Sequence, residues 1–172
     1  MGEDETQNDH QEDARADSNR YLTFWTDNQL FGLSIADVVQ IVGMYRVTKL
    51  PGSSDYVKGV VSLRGELLPV IDVRMRLGRV EKQYNDRTCI IIIKIQHSLL
   101  GFIVEALDKV CNIPDEAITF PINANFSSEN TYLTGIAKLR SVQNKEEKII
   151  MLVNMEKLLS DKEFVELVQS VH

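Results

Sequence analysis

The residues of this chain that could make or break bonds are three histidines, two cysteines and, in its second half, two adjacent pairs of acids. His10, His97 and His172 could serve as general bases or metal ligands. They fall in an acidic tail, in a predicted turn and at the last position, and none has a Cys or His partner at metal-type spacing. Asp115-Glu116 and Glu146-Glu147 could form acid–base dyads, but both pairs fall in predicted loops, where carboxylates are solvated. Cys89 and Cys111 lie inside apolar strand-like runs and read as reduced, buried thiols, with a disulfide as the alternative. No Gly-rich phosphate loop and no serine elbow is present. Arg74, Arg76 and Arg79 form the one basic cluster and read as a solvated helix face. The prediction is a non-enzyme with no cofactor and no metal.

The elements that would position these residues come from a repeat. Residues 57–77 read VKGVVSLRGELLPVIDVRMRL, while 133–140 and 148–159 read LTGIAKLR and KIIMLVNMEKLL around a short polar insert. Gly59 and Gly135 are each followed, four and five residues on, by Leu-Arg (Leu63-Arg64, Leu139-Arg140). Each copy then gives an aliphatic run ending in Asp72 or Asn154, with a Leu five residues beyond. Self-similarity of this kind predicts two related units, each a strand pair closed by a helical turn, with a binding seam between them.

Around the repeat, Tyr21–Thr26 and Leu30–Leu33 predict a hairpin closed at Asp27-Asn28. Ser34-Ile35-Ala36-Asp37 looks like a capped helix entry, predicting a short helix that buries some of Ile35, Val38, Val39 and Ile41 and ends at Gly43. Arg46–Leu50 suggests a strand. Pro69 belongs at an edge or irregularity, because it cannot donate to a ladder. CIIIIKI (89–95) predicts a strand buried on both faces. Returning strands are expected at Leu99–Val104 and Lys109–Ile113, a loop over Phe120–Asn130, and a last helix capped by Asp161 with Phe164, Leu167, Val168 and Val171 at helical spacing. Many short strands in two matching sets indicate two small barrels.

Seven of the 25 acidic residues lie in residues 1–20, against Arg15 and Arg20. The net charge of −6 is therefore concentrated in that stretch, and residues 21–172 carry about −1. Nearly devoid of apolar side chains, 1–20 is expected to be a disordered acidic tail. A near-neutral folded part lacks the basic groove of a nucleic-acid-binding barrel, which is the rival reading from a different class. No apolar run is long enough to span a membrane and no signal-peptide layout opens the chain, so a cytoplasmic protein is expected.

At VKGVVSLRGELLPVIDVRMRLG (57–78) the chain resembles the CheW family of chemotaxis coupling proteins. The resemblance extends in order through YLTFWTDNQLFGLSI, YNDRT, LLGFIVEALDKV, YLTGIAKL and IIMLVNMEKLL, covering about residues 21–160. It implies a mostly β fold of two intertwined five-stranded SH3-like β-barrels with short helices. The expected division is a tail at 1–20 and a CheW-like domain at 21–172, with a first barrel at about 21–85, a second at about 86–160 and a helix at 161–170. It implies a non-catalytic scaffold that couples transmembrane chemoreceptors to a chemotaxis histidine kinase. Its partners would be the kinase regulatory domain and the cytoplasmic receptor tip, with recruitment to membrane-bound arrays and neither nucleic acid nor membrane insertion. The same fold wired to pilus or surface motility is the near alternative.

Carried over position by position, the resemblance implies a receptor groove formed by Val38, Gln40, Gly59, Arg64, Leu67, Leu107 and Val110. It implies a kinase contact at Asn85, Asp86, Thr88 and Cys89. Several of these have a plainer reading: Val38, Leu67, Leu107 and Val110 could be core, Gly59 could relieve packing, and Arg64 could pair with Glu66 or Asp37. Gln40 stands where relatives often carry glutamate, and Ser62 where asparagine is common.

Overall fold

Two-residue turns set the registers from which the sheets grow. The computed structural model describes residues 19–120, 132–143 and 145–171. Asp27 and Asn28 both take positive φ and close β1 (Arg20–Thr26) onto β2 (Gln29–Ser34), with Thr26 opposite Gln29. Arg64 and Gly65 do the same for β4 (Val57–Leu63) and β5 (Glu66–Asp72), with Leu63 opposite Glu66. Positive φ at both central positions matches the right-handed twist of the flanking strands. Gln96-His97 closes β6 (Cys89–Ile95) onto β7 (Ser98–Val104). Later come β8 (Ala106–Asn112), the two-residue β9 (Ile118–Thr119), β10 (Leu133–Arg140) and β11 (Glu147–Val153).

The strands form two sheets. The five-stranded one runs β3-β6-β7-β5-β4, where β3 is Val38–Gly43; the six-stranded one runs β8-β1-β2-β11-β10-β9. Position by position the two orders correspond. Hairpin β6–β7 matches β1–β2, β4–β5 matches β10–β11, and the bridge between Thr48 and Val60 stands where β9 pairs with β10. Each long hairpin meets the repeat unit through a parallel pairing, Val70 with Gly101 in one sheet and Leu152 with Gly32 in the other. The duplication thus covers both halves of both sheets, well beyond the segments where the sequence displays it.

The third strand of each unit is exchanged: β3 leaves β2 to pair with β6, and β8 leaves β7 to pair with β1. The barrels therefore do not divide at residue 85 as the sequence suggested. The six-stranded sheet takes residues 20–34 from before that boundary, and the five-stranded sheet takes 89–104 from after it.

Three apolar clusters follow from this arrangement. One fills the five-stranded sheet's own interior (Val61, Leu68, Val70, Ile90, Ile92 and Ile103), and another fills the six-stranded sheet's (Leu30, Ile113, Ala137, Ile150 and Leu152). The largest lies between them and draws on both, including Phe24, Leu33, Ile71, Ile91, Phe102 and Leu158. β6 sends Ile90 and Ile92 to one cluster and Ile91, Ile93 and Ile95 to another, so its unbroken aliphatic run is buried on both faces, as read. The predicted seam is thus packed solid through its centre.

Several local expectations need correcting. After the 3-10 turn Ile35–Asp37, residues 38–43 form strand β3 rather than a helix, and Ser34 makes no side-chain cap bond. Arg46–Leu50 contributes only the bridge at Thr48. Pro69 lies just before β5 begins pairing with β7 at Val70. Asp72 caps α1 (Val73–Arg76) by accepting the Met75 N–H at 3.2 Å, and Asn154 likewise caps Met155–Leu158. The last helix, α2 (Asp161–Val171), is capped by Ser160, whose hydroxyl accepts the Glu163 N–H at 3.1 Å and donates to the Glu163 carboxylate at 3.1 Å. Residues 1–18 of the expected tail, with His10, and 121–130 of the expected loop lie outside the described residues, as does His172.

Candidate functional site

The seven groove residues fall in three different settings. Gly59 is buried, with φ +138, and a Cβ there would lie 2.0 Å from the Thr48 carbonyl oxygen. Its identity is set by the approach of another backbone segment, which is the packing role. Val38 is half-buried against the shared core, and Gln40 is half-buried on the same strand. Arg64, Leu67, Leu107 and Val110 are exposed, the last three at 49%, 39% and 42%, so those three leucine and valine positions are surface and not core. Arg64 has no hydrogen bond or ion pair among the described residues, neither with Glu66 nor with Asp37, and presents a free guanidinium at the β4–β5 turn.

Leu67 lines a depression of about 590 Å³ with Gly65, Val39, Leu99, His97 and the α2 side chains Val168 and Val171. One wall is a β-hairpin end beside Arg64, and another is the terminal helix. Leu107 and Val110 do not line it; they sit on β8, the edge of the six-stranded sheet. Val39, 53% exposed, and the α2 valines were not singled out from sequence for this surface. An exposed valine in an apolar run looks like core until the register of its strand is known.

Of the four positions expected to contact a kinase, Asn85, Asp86 and Thr88 lie at a turn and Cys89 begins β6. The Asn85 carboxamide accepts the Arg87 N–H at 2.8 Å, and the Thr88 hydroxyl accepts the Asn85 N–H at 3.0 Å. Thr88 and Cys89 are buried, and Cys89 points into the shared core from a strand paired on both sides, so Asn85 and Asp86 are the members presented to solvent. Burial pushes the Cys89 thiol up to about 11. Cys111 is half-buried and neither cysteine is bridged. His97 stays on the surface, as expected for a turn residue.

The basic cluster is the clearest departure from the sequence reading. Arg74 and Arg76 are engaged, not solvated: Arg76 donates to the Leu158 carbonyl at 2.6 Å and lies over the Tyr56 ring, while Arg74 joins an ion cluster with Asp27 and Glu105. Nearby, Tyr84 donates its hydroxyl at 2.7 Å to the buried carboxylate of Asp72. Burial first, then that bond and the adjacent negative charge, raises the Tyr84 phenol well above its ordinary 10.0.

An alkaline effect follows. Above pH 10 the unfolded chain releases the Tyr84 proton and the folded chain keeps it, so stability is whole below about pH 10 and falls as pH rises toward the folded value. A spectrophotometric titration of the five tyrosines should leave Tyr84 protonated until the chain unfolds, and Tyr84→Phe should remove that part of the decline. Ionisation of all five near pH 10 in the folded state would contradict this.

Comparison with known proteins gives one answer throughout. The family model described as CheW-like domain matches residues 20–163. The chain is 30% identical over 143 residues to the chemotaxis protein CheW of Klebsiella aerogenes, covering 83% of this chain and 82% of that one. It is 29% identical over 142 residues to a probable chemotaxis protein CheW of Rhizobium etli, covering 83% and 88%. Among solved structures, the scaffolding protein TtCheW of Thermoanaerobacter tengcongensis superposes with a TM-score of 0.72 at 28% identity, over 84% of this chain and 96% of that one. With two exchanged β-units and these matches, the chain belongs to the CheW-like family of chemotaxis scaffolds, which are not enzymes.

Proposed function

We propose that this protein couples transmembrane chemoreceptors to a chemotaxis histidine kinase, holding the receptor's helical tip on one surface and the kinase's regulatory domain on another. It would do so as a cytoplasmic protein recruited to receptor arrays; among the described residues no helix is long and apolar enough to cross a membrane. The observation that carries the reading is the exposure of Leu67 in a depression walled by Val39, Val168 and Val171, with the unpaired Arg64 next in the chain to its lining residue Gly65. Exposed apolar side chains flanked by the charged Lys94 and Glu66 are what an amphipathic helix needs from a groove. The separate Asn85–Asp86 turn leaves room for a second partner at the same time. Two weak contacts on one small body raise the effective concentration of receptor for kinase.

The test is reconstitution. With receptor signalling tips and the kinase regulatory domain, the full chain should bind each alone and bridge the two in one complex by sedimentation. Binding to neither would end this reading.

A further inference from the structure

Residues 79–88, between α1 and β6, belong to no strand or helix. Among the described residues their backbone bonds outside regular elements are Arg79 N–H to the Arg74 carbonyl, 3.1 Å, and Thr88 N–H to the Asn85 carbonyl, 3.2 Å. A segment without a ladder is placed by side chains. Tyr84 anchors it on the buried Asp72 at 2.7 Å and Lys58 pairs with Glu81, while Arg74 is the residue that links it to both sheets. Its Nε donates to the Val80 carbonyl at 2.6 Å, and its Nη1 lies 3.0 Å from Asp27 Oδ1 and 3.3 Å from Glu105 Oε1. The same two acids hold the segment directly: Arg79 Nε is 2.9 Å from Asp27, and Lys82 Nζ is 3.1 Å from Glu105.

The location matters as much as the contacts. Asp27 belongs to the β1–β2 turn of the six-stranded sheet, and Arg74 follows β5 of the five-stranded one. Glu105 is the residue at which the chain crosses between them; its N–H donates to the Trp25 carbonyl at 3.1 Å, and its carboxylate also accepts the Asp27 N–H. One guanidinium therefore ties the 79–88 segment to both sheets. The duplication shows that the fold itself does not demand it. Asn154 repeats the cap of Asp72, and two residues on, where the first unit has Arg74, the second has Glu156 and completes the same strand-to-turn junction.

We propose that Arg74 is a positioning residue for the Asn85–Asp86 turn, setting the kinase-facing surface relative to the seam; this rests on the function proposed above. The fork geometry is essential, because three acceptors at fixed angles suit a guanidinium and not an ammonium.

The test uses the full chain with Arg74→Met, Arg74→Lys and Glu105→Gln, the last two securing a result should the methionine variant fail to fold. Arg74→Met should keep a single cooperative melt yet be cut by trypsin after Arg79, Lys82 and Arg87 about tenfold faster. Its affinity for the kinase regulatory domain should weaken about tenfold while receptor-tip affinity stays within about twofold. Arg74→Lys should recover only part of each effect, and Glu105→Gln should show the same pattern more weakly. Tryptic rates and kinase affinity equal to wild type, or receptor affinity lost in parallel with kinase affinity, would overturn the proposal. If wild type itself binds no kinase domain, the coupling function fails, while the cleavage rates still decide whether Arg74 holds the segment.

Discussion

Gly59→Ala should remove much of this protein's folding stability, about 4 kcal/mol or more. Two causes act together. The added Cβ would sit 2.0 Å from the Thr48 oxygen and 2.6 Å from its carbonyl carbon, both backbone atoms. They cannot move aside, because Thr48 and Val60 exchange both backbone bonds, at 2.9 and 2.8 Å. In addition, φ +138 is a region that side-chain-bearing residues rarely adopt. The repeat supplies the control. Gly135 stands at the matching position of β10, but there a Cβ would meet the Ile118 Cγ2, a side-chain atom, at 2.8 Å, and no positive φ is involved. Gly135→Ala should therefore cost roughly 1–2 kcal/mol as Ile118 shifts. Urea midpoints of the two variants measure the difference, and equal losses would contradict the account. It follows that lost receptor binding in a Gly59 variant says nothing about contact unless folding is measured with it.

Much of the fold was legible because it is local. The Asp27-Asn28 turn, the helical turns after Asp72 and Asn154 and the double-sided burial of β6 each follow from a few neighbouring residues. β3 was misread for an equally local reason: Ser34 and Asp37 imitate a helix start, and Val38, Val39 and Ile41 fit either period. What decides for a strand is pairing with β6, some fifty residues away, and no short window records that. The exchange of β3 and β8 between sheets is hidden for the same reason, which is why a sequential boundary at 85 looked natural. At the last helix Asp161 looked like the cap, yet it is the Ser160 hydroxyl that accepts the Glu163 N–H.

The site was less legible than the fold. Leu67 has the same signature as Leu68: both are aliphatic in one strand. Yet one is half exposed and the other is buried, because successive strand residues face opposite ways. Arg74 looked like part of a solvated basic face, since its acceptors Asp27 and Glu105 come from distant turns. Thr88 and Cys89 were carried over as contacts, yet both are buried, while Asn85 and Asp86 are exposed.

Leu67→Asp should be the most damaging single change to receptor binding. It puts a charge where an apolar helix face would dock, and central apolar contacts of this kind are worth about 2–3 kcal/mol, roughly a 30- to 150-fold loss of affinity. The position is half exposed, and folding should weaken by less than about 1 kcal/mol. Arg64→Ala should give a smaller loss, of roughly threefold to tenfold, with folding unaltered.

The decisive measurement is therefore a titration of receptor signalling tips into wild type and Leu67→Asp, with melting curves on the same samples. A groove that grips receptor helices predicts affinity reduced at least 30-fold with stability lowered by less than about 1 kcal/mol. Wild-type affinity retained by the variant would show that the depression beside Leu67 is not where the receptor sits.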